Sequence, residues 1–176
     1  MQNKSKQLSA SDDSAARLLI ELLGGSPGRN FDIESIFLER LPDKTWRWWV
    51  FEFLKCESNI PGIDVASSHP NRYWEKNKRK FLSLWAVVKC LRSAGCKAEL
   101  VLVNYDDRRE QVKRMLVKNI NEHETEGWVC ENRAAYGKRN YVETDDVVMS
   151  FSEFQRKFKE FNDTKEGETW EILNEP

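Results

Sequence analysis

The chain has 176 residues, with 28 Lys and Arg against 29 Asp and Glu, which gives a formal net charge of −1. This length suits one domain with its own core, and a hydrophobic content of 40% is too high for a disordered chain. The balanced charge excludes a uniformly basic nucleic-acid binder, although it leaves room for a basic patch. The sequence has neither a long apolar run nor an apolar leader, so we expect a cytoplasmic protein without a membrane partner.

The first part of the chain predicts a polar tail, a helix and a hairpin. Residues 1–10 are polar, and residues 11–23 carry leucines at helical spacing behind an acidic helix start. Two segments rich in aromatic and β-branched residues, 31–38 and 45–54, predict strands. The short turn at 41–44 between them predicts an antiparallel hairpin.

The second part predicts two helices and two longer strands. Residues 71–93 place their large apolar side chains on one helical face. Residues 98–103 form a compact apolar run, typical of a strand buried on both faces. Residues 112–120 alternate apolar and basic side chains, which predicts an outer strand. After a short apolar piece at 147–149, Ser150 begins a last helix, where a Glu three residues later completes a capping box.

This order of elements predicts the fold class. Helix, strand, strand, helix, strand, strand, helix is the order of a three-layer α/β fold with a central mixed β-sheet flanked by helices. We therefore expect a single domain over residues 11–163. Residues 151–176 contain four basic and seven acidic side chains, so residues 164–176 are predicted to be an acidic tail.

The cysteines do not predict a metal site. Four cysteines, at 56, 90, 96 and 130, form no C-x-x-C pair, and only two histidines accompany them. A structural zinc site needs closely spaced ligand pairs, so we do not expect zinc. Cys90 and Cys96 are predicted to be small core residues near a helix end.

The hairpin brings three carboxylates towards one place. If the turn sets the pairing, the numbers of facing residues sum to about 86, so Glu34 faces Glu52 and Asp32 faces Leu54. Asp32 and Glu34 share a face because side chains alternate along a strand. Facing carboxylates on an apolar sheet are unfavourable unless a cation neutralises them. The sequence therefore predicts a Mg²⁺ site at Asp32, Glu34 and Glu52, or else a buried acid that pairs with Lys or Arg.

A basic stretch opens the central helix. Residues 71–80 hold five basic side chains and one acidic one. Asn77 falls on the apolar stripe of this helix, where a polar group needs a hydrogen-bond partner, and Lys78 and Lys80 flank it. If the helix start packs near the carboxylates, Asn77 and one lysine reach the site and other cations hold phosphates. The alternative is a solvated helix face. The candidate nucleic-acid-binding residues are Arg72, Lys76, Asn77 and Lys80.

Residues 14–120 resemble the PD-(D/E)XK nuclease-like superfamily, the restriction-endonuclease-like fold. The resemblance lies in the order helix, hairpin, helix, strand, with Asp32 in Phe-Asp-Ile-Glu on the first strand and Glu52 in Val-Phe-Glu-Phe-Leu-Lys on the second. It implies that Asp32 and Glu52 bind Mg²⁺ or Mn²⁺, with assistance from an acid on the first helix, Glu21. The implied activity is metal-dependent hydrolysis of phosphodiesters.

The lysine of the superfamily motif is displaced in this sequence. The family has Lys two residues after the Glu, whereas this chain has Leu54 there and Lys55 one residue later. Lys55 would point to the other face unless a bulge intervenes. Some members recruit the lysine from the following helix, which Lys78 or Lys80 would supply. The resemblance thus implies Asp32, Glu52 and one of these lysines as the catalytic set.

Two function classes follow from these patterns. The first is a Mg²⁺-dependent endonuclease that acts on DNA rather than RNA, in a defence or mobile-element setting, with a homodimer or a partner protein as the expected assembly. The second is a catalytically inactive module of the same fold that binds protein or nucleic acid, for which the seven tryptophans offer an interface. His69, just before the basic helix, is predicted to cap the helix start or pack the loop rather than act as a general base.

Overall fold

The computed structural model describes residues 35–41, 43–56, 63–126, 128 and 140–163. The predicted tail, first helix and acidic C-terminal tail lie outside these residues, as do Glu21, Asp32 and Glu34. The described residues form five strands, two α-helices and one 3₁₀ turn. They are β1 (Ser35–Arg40), β2 (Trp46–Lys55), a 3₁₀ turn (Pro70–Arg72), α1 (Trp74–Ser93), β3 (Lys97–Tyr105), β4 (Gln111–Ile120), β5 (Val142–Ser150) and α2 (Phe151–Asp163).

β1 and β2 form the predicted antiparallel hairpin. Ser35 pairs with Phe51 and Arg40 pairs with Trp46, so the facing numbers sum to 86 as the turn predicted. Asp43 accepts a hydrogen bond of 2.9 Å from the backbone N–H of Thr45, which fixes the turn locally. The register of the described part of the hairpin is therefore confirmed.

The sheet is mixed and has the order β1-β2-β3-β4-β5 among the described residues. β2 and β3 are parallel and α1 connects them, while the other neighbouring strands are antiparallel. Together with the two helices this confirms an α/β fold with a mixed sheet. The prediction that residues 112–120 form an outer strand is wrong, because β4 lies between β3 and β5 and is buried from Val112 to Val117. Its basic residues suggest the alternation of a solvated strand, but Lys113 and Arg114 are buried and only Lys118 among the basic residues of β4 is exposed.

Helix α1 buries the predicted apolar stripe. Trp74, Phe81 and Val88 are each at most 1% exposed and belong to one core cluster with Val50 of β2. Each fully buried side chain of this size contributes about 1.5–3 kcal/mol to folding. The helix ends where Gly95 adopts a φ of 83°, a left-handed conformation that glycine reaches without steric cost.

The helix boundaries correct two smaller expectations. Helix α1 begins at Trp74, three residues later than predicted, because Pro70–Arg72 forms a separate 3₁₀ turn. Cys90 is exposed and Cys96 is partly exposed, so Cys90 is not the core residue that was predicted. Its position on the helix points away from the stripe that α1 buries.

Helix α2 packs on a core cluster that is distinct from the one beneath α1. Phe154 and Phe158 contact Phe51, Val101 and other residues that alternate along the strands with those beneath α1. Because consecutive strand residues point to opposite faces, the two clusters lie on the two sides of the sheet. The backbone N–H of the third residue of α2 donates to Ser150 Oγ at 3.2 Å, which confirms the N-cap. Among the described ranges, neither helix is long and apolar enough to cross a membrane.

Candidate functional site

Glu52 is a buried carboxylate in the middle of the sheet. It occupies the α1 side of β2, between Val50 and Leu54, and is 0% exposed. Its Oε1 forms an ion pair with Nζ of Lys80 on α1, whose side chain remains 29% exposed. A buried carboxylate is costly unless it is paired and hydrogen-bonded, so this contact offsets part of the cost of burying Glu52.

Glu52 lines a cavity beside the start of α1. The cavity has a volume of about 320 Å³, and Lys76, Asn77 and Lys80 line it together with Glu52. Three of the four predicted nucleic-acid-binding residues therefore share a cavity with one predicted metal ligand. The fourth, Arg72, is exposed and does not line the cavity.

The other predicted lysines have different surroundings. Lys55 lines the cavity, but its ammonium pairs with exposed Asp107 at 2.8 Å, and this hydrogen bond raises the pKa of Lys55. Lys78 pairs with Glu124 at 2.9 Å, which raises the pKa of Lys78, and it does not line the cavity. Of the three candidate lysines, Lys80 is the one that contacts Glu52.

The predicted metal site is described only in part. Asp32 and Glu34 lie outside the described residues, so Glu52 is the one proposed ligand with a known position. Within the part of the chain that the structure describes, no three His, Cys, Asp or Glu residues are grouped to hold a metal ion. Among the described residues that line the cavity, Glu52 is the one carboxylate, and carboxylate oxygens are ligands that Mg²⁺ prefers.

A polar network continues from the cavity beneath the loop before α1. Tyr73 donates its hydroxyl to Asn104 Oδ1 at 3.3 Å, and Asn104 Nδ2 donates to the carbonyl of Ser68 at 2.9 Å. Lys113 Nζ donates to the same carbonyl at 3.2 Å and to that of Ala66 at 3.1 Å. Burial raises the pKa of Tyr73, so its hydroxyl acts here as a donor. These bonds hold the loop in place as one wall of the cavity.

The network ends at a buried histidine. Lys113, 1% exposed, pairs with Asp146 at 2.8 Å, and Asp146 accepts from Thr144 Oγ1 at 2.6 Å. Thr144 Oγ1 lies 2.8 Å from Nε2 of His69, while His69 Nδ1 accepts from the backbone N–H of Asn71 at 3.2 Å. Since Nδ1 accepts, the ring proton sits on Nε2 and points to Thr144. Burial lowers the pKa of His69 to about 3, so the ring is neutral.

His69 therefore has the capping role that was predicted. It is the N-cap of the 3₁₀ turn before α1 and is fully buried, away from the cavity lining. Lys113 and Asp146 were not found from the sequence. The alternation along β4 does place Lys113 on the same side as Met115. The prediction of an outer strand, however, implied that this side of β4 faces solvent. The sequence signal that could have revealed this pair is a lysine on one strand and an aspartate on the strand next to it.

The cavity offers anion-binding groups beside one carboxylate. The ammonium groups of Lys76 and Lys80 and the amide of Asn77 are suited to phosphate oxygens. Cys56 also lines the cavity, but burial raises the pKa of its thiol, so it does not supply a thiolate at neutral pH. The arrangement suits the binding of a phosphate next to a carboxylate.

No family model matches the sequence, and neither a curated protein nor a solved structure matches the chain.

Proposed function

We propose that this protein is a Mg²⁺-dependent phosphodiesterase that cuts nucleic acid. The observation that supports the proposal is the contact between buried Glu52 and Lys80 inside a cavity lined by Lys76 and Asn77. A carboxylate, a lysine and phosphate-binding groups are the parts that this chemistry needs from the protein. Their convergence from β2 and α1 is the geometry expected if the displaced lysine comes from the following helix.

Each residue has a proposed role. Glu52 would bind Mg²⁺ or Mn²⁺ with Asp32 and Glu34, since hard cations prefer carboxylate oxygens. The bound ion would lower the pKa of a water molecule and neutralise charge on the scissile phosphate. Lys80 would orient that water through its ammonium group. Lys76 and Asn77 would hold the phosphate next to the scissile one.

The remaining parts of the proposal concern the substrate and the fold. Exposed Arg72 adds a cation outside the cavity lining, which suits contacts to a phosphate backbone, and we propose DNA as the substrate. Helices on both sides of the sheet support a three-layer arrangement of the restriction-endonuclease-like class. We further propose a cytoplasmic location and a role in defence. A homodimer or a partner protein would be needed to cut both strands at once.

A specific observation favours a second candidate, an inactive module of the same fold. The Glu52–Lys80 ion pair neutralises the buried carboxylate without a metal ion. Exposed apolar side chains on the hairpin, Ile36, Leu38 and Trp46, offer a protein interface. In this case Glu52 stabilises the fold and has no catalytic task.

Cleavage assays on four variants test the proposal. Glu52→Gln keeps the shape of the side chain and removes the charge, and Lys80→Met removes the cation that contacts it. Both should abolish Mg²⁺-dependent cleavage of DNA while the circular dichroism spectrum stays native. Lys78→Met tests the other helical lysine. Lys89→Met is the matched control, because Lys89 lies on α1 and pairs with a carboxylate, Glu122, outside the cavity.

The outcomes separate the two candidates. Cleavage that survives in Glu52→Gln or in Lys80→Met excludes the proposed mechanism. A wild-type protein without cleavage, and with a melting temperature that Mg²⁺ does not change, supports the inactive module. A bound ion would raise the melting temperature of the wild type, because it binds the native state.

A further inference from the structure

A second cavity lies on the α2 side of the sheet. Its volume is about 640 Å³, within the range of roughly 300–1,000 Å³ that is typical of small-molecule sites. Among the described residues, it shares only Phe53 with the cavity at Glu52. Val103 and Val112 of the two central strands line it as well, and both are 1% exposed.

Five of the ten residues that line this cavity are aromatic. Phe53 and Phe158 lie edge to face with their centroids 6.0 Å apart, and Phe154 stacks on Phe158 at 5.6 Å. Tyr105 and Phe151 complete the aromatic lining. Rings that pack against each other present a fixed apolar surface, so a ligand that enters need not order the wall first.

The charged residues that line this cavity are both cations, Arg109 and Lys159. Within the part of the chain that the structure describes, neither forms an ion pair. The nearby acids of α2 have other partners. Glu153 pairs with Lys157 at 3.3 Å, and Glu160 accepts from Arg156 at 2.9 Å.

The backbone holds Arg109 in position. Its φ is 53°, and its N–H donates to Asp106 Oδ1 at 3.0 Å, which fixes the turn between β3 and β4. The carbonyl of Glu110 accepts from the N–H of Phe151 at 2.9 Å and joins this turn to the start of α2. The Arg109 guanidinium then lies 5.8 Å from the centroid of the Phe151 ring. A cation is thus held at the margin of an apolar cavity.

We propose that this cavity binds a small amphipathic carboxylate. The apolar body of the ligand lies among the rings of Phe53, Phe154 and Phe158, and its carboxylate binds Arg109 and Lys159. Charge complementarity selects the ligand class, because every charged group of the lining is positive and the remaining wall is chiefly apolar. The site is separate from Glu52 and does not depend on a nuclease activity.

Titration of the full-length protein with octanoate and with 1-octanol tests the proposal. The two probes share a chain length and differ in the charged group. Saturable shifts of the amide NMR signals of Phe154 and Phe158 should follow octanoate, with an affinity at least about tenfold above that of octanol. The double variant Arg109→Asn and Lys159→Gln should bind octanoate as weakly as octanol. Asn suits the left-handed backbone at position 109.

Arg79→Gln is the control, because it removes an exposed cation of α1, and it should bind octanoate like the wild type. Equal affinity for the two probes would refute the carboxylate specificity. Shifts confined to residues elsewhere in the chain, or no saturable shift, would refute the site. Undiminished octanoate binding by the double variant would refute the role of the two cations.

Discussion

Stability should fall steeply in mild acid because of one buried ring. His69 is 0% exposed, and its two ring nitrogens are engaged by the backbone N–H of Asn71 and by Thr144. Protonation of Nδ1 would break the bond from Asn71 and place a charge in the core. The pKa of His69 is accordingly lowered from 6.5 to about 3, chiefly by burial.

The sign and size of the effect follow from proton linkage. Between pH 6.5 and pH 3 the unfolded chain binds a proton at this ring that the native protein does not bind. The free energy of unfolding therefore decreases as the pH falls, by about 1.4 kcal/mol per pH unit below 6.5. From pH 7 to pH 5 the loss due to His69 should be about 2 kcal/mol.

The contribution of His69 to the free energy of unfolding can be measured by urea unfolding of the wild type and of His69→Gln at several pH values between 5 and 7. The variant starts from a lower stability at pH 7, but its stability should change with pH by about 2 kcal/mol less. His123→Gln is the control, since it removes an exposed histidine and leaves the buried network intact. NMR of the wild-type ring provides a second measurement, in which His69 should stay neutral down to about pH 4. Parallel stability curves for wild type and His69→Gln, or a ring that titrates near pH 6, would refute the reasoning.

Three further predictions concern single contacts. In a double-mutant cycle by urea unfolding, Glu52→Gln and Lys80→Met should couple by about 2 kcal/mol, and additive effects would contradict a buried ion pair. Gly95→Ala should lower the free energy of unfolding by about 1 kcal/mol in thermal unfolding. A Cβ at this position would meet nothing within 4 Å, so the cost comes from the φ of 83°, and a neutral result would contradict this account. Ser150→Ala should cost about 1 kcal/mol through the bond to the N–H of Glu153, whereas Ser150→Asp should keep the stability near that of the wild type.

Local sequence patterns predicted the helices, strands and turns, but the order of the strands in the sheet was harder to predict. The hairpin register followed from a four-residue turn, because a short turn leaves little freedom of pairing. The stripe of α1 followed from helical periodicity. The place of β4 in the sheet depends on β5, a strand that only a short apolar piece at 147–149 had indicated. The position of β4 inside the sheet therefore could not be predicted from the alternation of its own residues.

The same limit applies to the cavity. Asn77 was a candidate because it falls on the apolar stripe of the helix, and Lys80 was one because it flanks that stripe; both line the cavity. The choice between Lys78 and Lys80 could not be made from spacing, since it depends on how α1 rotates over β2. Lys113 was missed for a different reason. A buried lysine becomes acceptable only when an aspartate and carbonyls from distant segments meet it, and sequence distance hides such partners.

The loop before α1 is fastened by residues far along the chain. The side chain of Asn71 accepts from the N–H of Val142 at 2.7 Å and donates to its carbonyl at 3.2 Å, as a strand neighbour would. His69 and the carbonyl of Ser68 are likewise bound by Thr144 and Lys113. Such long-range bonds form only after the intervening chain has closed its loops. We therefore expect the order of assembly to run opposite to the order of synthesis here: the loop that walls the Glu52 cavity locks last, once β4 and β5 have joined the sheet.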